Sequence, residues 1–364
     1  MTGGSCIRRV TAMVERLPTV GGAAGYAGLD APSFVRCMVE TEDGLTGTGV
    51  TGRFLGAEVA ALLSNGMDEA LRGSDARMIE AIGMRLTARF NPRSATGVFV
   101  SALSALDMAL WDLRGRSLGE PLWRLLGGAR TEVPCYATVG LPGYSEEELT
   151  TVCKGAIDAG FRGVKMLVAA GGRDVEQDMR RVRAVRDAIG PNALLMLDAN
   201  CGMSVAEAKR LALRVEECDI AWFEEPVHHN DLEALASLRR AIRIPVAAGQ
   251  MVQSLGWFRD ALARGAIDWV QPNAAFCGGI SAMLRILALA EAHGAPTAHA
   301  GGWDIANAAV MAGHAHGGLL EMHGAQKALR ARLMEDMQPE RGMMALPDRP
   351  GIGFAFHPEA AASA

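Results

Sequence analysis

The feature that most constrains the fold is a series of eight short apolar stretches separated by helical segments from about residue 131 onward: VPCYATVG, GVKMLVA, ALLMLDAN, AWFEEPV, IPVAAGQ, DWVQPNA, APTAHA and LLEMHG. They are too apolar for half-exposed antiparallel strands and read as strands covered on both faces, which means a parallel sheet. Eight strand-helix units in series close into a barrel. Five successive runs end in a polar residue, namely Asp198, Glu224, Gln250, Asn273 and His299, at intervals of 26, 26, 23 and 26 residues. One strand plus one helix per interval places these side chains around a single mouth, the end where such barrels carry their active sites. One polar strand end is ordinarily a helix cap or a satisfied rim group. Several in register, with carboxylates that have no counter-charge nearby in sequence, point to a site.

The first third of the chain has a different pattern. SFVRCMVETEDGLTGTGVTG alternates as an antiparallel hairpin turning at Glu-Asp-Gly, with Val35, Cys37 and Val39 on one face. Leu103, Leu106, Leu110 and Leu113 then recur at helical steps, and Gly127-Gly128 closes the segment. Residues 1–128 are therefore expected to form an α+β domain and residues 129–344 the barrel, with the Gly/Pro-rich tail 345–364 returning to the first domain. A chain of 364 residues is long enough for this division.

Composition narrows the partners. With 49 % apolar residues, 21 % charged residues and a formal charge of −5, nothing calls for nucleic acid or an anionic membrane surface, and a small molecule is the expected partner. The seven cysteines are scattered and never form a Cys-x-x-Cys pair, which argues against a disulfide framework or structural zinc and fits a reducing cytoplasm. MTGGSCIRRV has no apolar signal region and no window approaches a membrane span, so neither secretion nor membrane insertion is expected.

Asp198, Glu224 and the amide oxygen of Gln250 would present three hard oxygens from consecutive strands. That set suits Mg²⁺, with water or a bidentate substrate completing the shell, whereas zinc prefers nitrogen or sulfur. Lys165 ends the second run and His299 the seventh, so a substrate on the ion would lie between two basic groups. This arrangement suits removal of a proton α to a carboxylate.

The motifs ALSALDMALWDLRGRSLGEPLWRLLGG, GFRGVKM, LDAN, FEEP, IPVAAG, QPNAAFCGGIS and PDRPGIGF, in this order along essentially the whole chain, resemble the enolase superfamily, specifically its mandelate racemase and muconate lactonizing enzyme group. The resemblance implies an α+β capping domain over a modified (β/α)8 TIM barrel, one Mg²⁺ per subunit, abstraction of a carboxylate α-proton through an enediolate, and a homo-oligomer such as a dimer or octamer. Cap loops around Tyr26 and Arg53 would choose the substrate. Carried over residue by residue, it makes Asp198 and Glu224 metal ligands, places Lys165 near the substrate carboxylate, makes His299 the seventh-strand base, and makes Glu321 an acid that hydrogen-bonds the substrate.

Three positions depart from the family pattern. Leu167 stands where the family has its second lysine. Gln250 replaces a glutamate, so the ion is expected to bind more weakly. Asn273 replaces the aspartate that orients the histidine, and is expected to hydrogen-bond the His299 ring without lending it charge. Some acid-sugar dehydratases of the family without the second lysine recover a base two residues after the third-strand aspartate, where this chain has Asn200. Of the remaining histidines, His228 and His229 lie just past the rim and His228 is a supporting candidate, while His314, His316 and His323 are expected in helices or loops. The expected reaction is dehydration of a hydroxylated carboxylate such as an acid sugar. Racemisation, epimerisation or cycloisomerisation within the family stay open, as does a barrel that binds a carboxylate without turnover.

Overall fold

The computed structural model describes residues 5–17, 33–90, 96–334 and 338–357. At the N-terminus β1 (Ile7–Arg16), β2 (Ser33–Thr41) and β3 (Thr46–Thr51) form an antiparallel sheet in that order. Val35, Cys37 and Val39 are fully buried on one face, as the alternation predicts. The helix Val98–Leu118 packs against this sheet, but it is buried on nearly every side rather than along one stripe. Gly47 and Gly49 of β3 explain one contact: a Cβ on Gly49 would stand 1.9 Å from the carbonyl oxygen of Ala105, so only glycine lets the helix backbone lie this close. On another side of the helix, Asp107 accepts hydrogen bonds from the backbone and hydroxyl of Ser281 at 3.0 and 2.6 Å. Asp112 accepts from the amides of Thr48 and Ile352, each at 2.8 Å, and so ties β3 and the C-terminal tail to the same helix. The leucine spacing recorded only one of these buried faces.

The barrel strands are β4 (Glu132–Gly140), β5 (Gly163–Leu167), β6 (Leu194–Asp198), β7 (Ile220–Glu224), β8 (Val246–Ala248), β9 (Trp269–Val270) and β10 (Leu320–His323). They are parallel and run in the order β10-β4-β5-β6-β7-β8-β9. Parallel bridges from Val270 to Thr297 and from Ala298 to Leu319 insert residues 297–298 between β9 and β10 and close the ring. Each of the eight apolar runs thus has its place in the barrel.

Strand alternation decides which side chains reach the interior. Tyr136, Met196, Trp222, Ala247 and Ala298 fill the barrel centre, while Cys135, Leu195, Leu197, Phe223 and Val246 face the surrounding helices. Two residues beyond Met196 and Trp222, Asp198 and Glu224 therefore come up on the inner face above a hydrophobic plug. Three of the outer helices begin with a capping box, Ser145 with Glu148, Asp174 with Gln177 and Ser204 with Glu207, which fixes where each strand-to-helix turn ends.

The N-terminal sheet rests on the barrel mouth. Thr51 donates to the carbonyl of Ala275 at 2.6 Å, and Phe34 packs on Trp303 of the rim with ring centroids 5.8 Å apart. Beyond β11 (Met343–Ala345), which pairs antiparallel with β4, the tail carries Phe356 onto Phe34 in a stacked contact at 5.5 Å. No helix among the described residues is long and apolar enough to cross a membrane.

Candidate active site

At the mouth, the ammonium of Lys165 lies 2.6 Å from Glu224, 2.9 Å from Glu321 and 3.2 Å from Asp198. All four side chains are essentially excluded from solvent. Burial by itself would strip the proton from Lys165, but the charges of Glu224 and Glu321 outweigh it and hold its pKa well above the usual lysine range. Glu224 also accepts hydrogen bonds from Gln271 at 2.6 Å and from the indole of Trp222 at 3.2 Å, and Asp198 accepts the amide of Asn200 at 2.8 Å. Glu321 accepts from Thr138 at 2.5 Å and from the amide of Gly302 at 2.6 Å. Burial would raise its pKa, yet Lys165, His323 and His299 hold it below the carboxylate range.

Gln250 turns its amide nitrogen to Glu225 at 2.7 Å, and Glu225 also takes a hydrogen bond from Asn230 at 2.7 Å. This answers why the fifth barrel run ends on an uncharged amide. A glutamate in the same pose would set two buried carboxylates against each other, whereas the amide donates to one and leaves its own oxygen facing the other way. Burial, then the Asp198 charge, pushes Glu225 above the usual carboxylate pKa. Asp198, Glu224, Glu225 and Glu321 thus bring four buried carboxylates together around one buried ammonium. That imbalance, with hard oxygen donors, fits a divalent cation of the Mg²⁺ kind. No group of three or more histidine, cysteine, aspartate or glutamate side chains among the described residues is arranged to hold a metal by itself.

His299 is fully buried and both of its ring nitrogens are engaged with backbone. Nδ1 accepts the amide of Glu321 at 3.3 Å, so Nε2 carries the proton and donates it to the carbonyl of Gly302 at 2.6 Å. Burial lowers its pKa to about 4, which keeps the ring neutral. Asn273 does not reach the imidazole as expected. Its amide donates to the carbonyls of Ala300 and Gly302 at 2.7 and 2.9 Å, and its oxygen accepts from Ala275 and Asn307, each at 3.0 Å. The physical reason is that the 300–302 turn presents carbonyls to this position, and an amide can donate to them where a carboxylate cannot. Asn273 and His299 meet only at the shared Gly302 carbonyl.

Leu167 pairs in register with Asp198 at the end of β5, so an aliphatic side chain stands there at the rim. Asn200 is exposed, and the exposed His228 spends Nδ1 on the carbonyl of Cys201 at 2.7 Å. Arg53 follows β3 beside the rim with its guanidinium over Phe54, and Tyr26 lies outside the described residues. One expectation is corrected: His323 is neither a loop nor a helix residue but the last residue of β10, paired with Thr138 and facing the same side as Glu321. Reading the sequence also missed Glu225, Gln271 and Thr138. Gln271 was within reach, since it precedes Asn273 by two and shares its face, whereas Thr138 had no signal beyond its strand.

Family models match over both parts of the chain. Residues 14–127 match the mandelate racemase / muconate lactonizing enzyme N-terminal domain, and residues 148–360 match the enolase C-terminal domain-like family. The chain is 34 % identical to 3,6-anhydro-alpha-L-galactonate cycloisomerase of Streptomyces coelicolor, over 88 % of each chain. It is 32 % identical to L-rhamnonate dehydratase of Saccharopolyspora erythraea, over 96 % of this chain and 90 % of that one. A racemase from Streptomyces coelicolor A3(2), solved with bound magnesium, superposes with a TM-score of 0.89 at 31 % identity, covering 96 % of this chain and 97 % of the other. With the barrel, the capping sheet and the carboxylate cage in place, the chain belongs to the mandelate racemase and muconate lactonizing enzyme group of the enolase superfamily.

Proposed function

We propose that this enzyme dehydrates a hydroxylated carboxylate, such as an acid sugar, after removing its α-proton. The observation that carries the reading is the asymmetry of the mouth. Leu167 leaves the β5 side without a second lysine, while imidazoles stand on the other side at the seventh strand and at the end of β10. Racemisation calls for proton exchange on two faces, whereas elimination proceeds with acid-base groups on one. The dehydratase relative supports the same choice. Cycloisomerisation is the second reading, favoured by the 34 %-identical relative.

Asp198, Glu224 and the amide oxygen of Gln250 would hold Mg²⁺, with Glu225 fixing the orientation of that amide. When bound, the ion supplies positive charge beside the substrate carboxylate and so stabilises the enediolate. Lys165 is placed to pair with that carboxylate, exchanging one of its present partners for the ligand. Glu321, held by Thr138 and Gly302, offers a fixed acceptor to a substrate hydroxyl. Arg53, and Tyr26 of the cap, are the substrate-selecting candidates. A cytoplasmic location and a homo-oligomer, dimer or octamer, belong to this reading, and light scattering on the purified protein tests the assembly. The chemistry is tested by incubating the enzyme with Mg²⁺ in D₂O and a panel of acid sugars, and reading α-deuterium and loss of water by mass spectrometry. Loss of water is the expected result. An isomer of unchanged mass that carries deuterium would favour cycloisomerisation or racemisation, and silence across the panel would indicate a barrel without turnover.

A further inference from the structure

The turn that follows the seventh barrel strand has an unusual backbone, and one distant side chain holds it. Gly301, Gly302 and Trp303 are consecutive residues in the left-handed region, with φ of 83°, 72° and 67°, and the last is a bulky aromatic for which that region is sterically costly. Gln326, in the short turn Gly324–Gln326 after β10, accepts the amide of Trp303 on its Oε1 at 2.5 Å. A backbone N–H can only donate. The contact therefore fixes which half of the side-chain amide faces Trp303 and leaves Nε2 as the outward half. Nε2 has no partner among the described residues. Its position is defined all the same: a Cβ on Gly302 would stand 2.5 Å from Nε2 and 2.8 Å from the amide carbon, so the amide lies directly on Gly302.

Gly302 also borders the charged cluster of the site. Its amide donates to Oε2 of Glu321 at 2.6 Å, while Oε1 of Glu321 takes Thr138 at 2.5 Å and Lys165 at 2.9 Å. An ionised carboxylate has about four acceptor sites, two on each oxygen, so Oε2 keeps one after Gly302 is counted. An unpartnered donor on Gln326 and a remaining acceptor on Glu321 thus flank the same residue. We propose that Gln326 is a specificity-determining residue, whose amide nitrogen donates to a substrate hydroxyl that gives its own proton to Glu321. The assignment rests on the substrate class proposed above and sharpens it. Chemistry selects the group: a second carboxylate would be repelled by Glu321, and an ammonium would turn its hydrogens toward the N–H of Gln326. A hydroxyl has both halves. This corner of the mouth then separates a polyhydroxylated acid from one that lacks the hydroxyl.

The donor is fixed before any ligand arrives. Arg330, further along the same segment, pairs at 3.2 Å with Asp304, the residue after Trp303, and donates to the carbonyl of His323 at 3.4 Å, so both flanks of the contact are tied together. The indole of Trp303 packs on Phe34 of the capping sheet with ring centroids 5.8 Å apart, which places the corner beneath the cap. Gln326 itself is half-buried. A side chain already ordered by one hydrogen bond loses little further freedom in making a second, and this preorganisation favours selective binding.

The test uses the parent, Gln326→Glu and Gln326→Met with Mg²⁺ on the acid-sugar panel, each substrate that turns over being paired with its monodeoxy analogues. Gln326→Glu keeps an oxygen for the Trp303 amide and removes only the donor, so it should melt and bind Mg²⁺ close to the parent. Gln326→Met removes both and should melt lower. In both variants KM is expected to rise about tenfold with kcat little changed, as for a contact made equally in the ground and transition states. The decisive readout is the coupling: the KM penalty that the parent shows for one monodeoxy analogue should shrink by about tenfold in both variants. A KM that rises equally for a substrate and all of its analogues would mean that residue 326 acts without touching a hydroxyl. A KM unchanged within about twofold, with Gln326→Met melting lower, would mean that Gln326 only holds the turn or a water. Either result overturns the assignment and leaves the reaction class standing, whereas a parent that converts no member of the panel overturns both.

Discussion

Lys165 makes a measurable demand at the residue scale. Its ammonium answers three of four buried carboxylates, and taking one partner from a buried charge cluster costs about 3–5 kcal/mol. Lys165→Met should therefore unfold at markedly lower urea without metal and regain part of the loss when Mg²⁺ is added. Gln250→Glu should behave similarly for another reason. It exchanges a hydrogen bond to Glu225 for carboxylate repulsion, with an expected loss of about 1–3 kcal/mol without metal, and should bind Mg²⁺ more tightly than the parent by calorimetry. Tighter binding without the metal-free penalty would mean that Glu225 does not face residue 250. His299 contributes one pH dependence. Its folded pKa, depressed to about 4 by burial, lies below the unfolded value of about 6.5, so the unfolded chain takes the proton first. The associated stability is present above pH 6.5 and is lost as pH falls toward 4, about 3 kcal/mol in all. Urea melts across that window should show the slope in the parent and a flatter one in His299→Asn.

Among the elements, the helix Val98–Leu118 joins the two parts of the molecule. Its contact with β3 depends on two glycines against two alanines, where backbone meets backbone. Gly49→Ala must push strand from helix, and overpacking of this kind costs about 1–3 kcal/mol. The expected result is a lowered melting temperature for the whole protein, because Asp107 and Asp112 transmit the shift to the barrel helix and the tail. An unchanged melt would mean that the helix can slide without loss. The leucine spacing located this helix but understated its burial, because Asp107 and Asp112 read as polar in sequence, and besides Arg116 one turn along the helix their partners are Ser281, Thr48 and Ile352, which lie far away along the chain.

For the whole molecule, the capping sheet is held on the barrel mouth at Phe34 and Thr51, Asp112 ties the tail to the capping domain, and the tail completes the clamp through Phe356. Phe356→Ala should cost about 3 kcal/mol and loosen the tail to proteolysis. The barrel, its eight strands and the rim positions were legible in the sequence because they rest on periodicity and spacing, which are local properties of the chain. The substitutions at 167, 250 and 273 were legible too, as departures from the pattern of the family that the motifs resemble. What those residues do was decided only in three dimensions. Lys165 reaches Glu321 because β5 and β10 both flank β4, and His299 turns into backbone because residues 300–302 offer it a carbonyl. Spacing along a chain sets which strand end a side chain occupies, but the choice among its possible partners depends on the register of strands that are distant in sequence, and that information exists only once the barrel has closed.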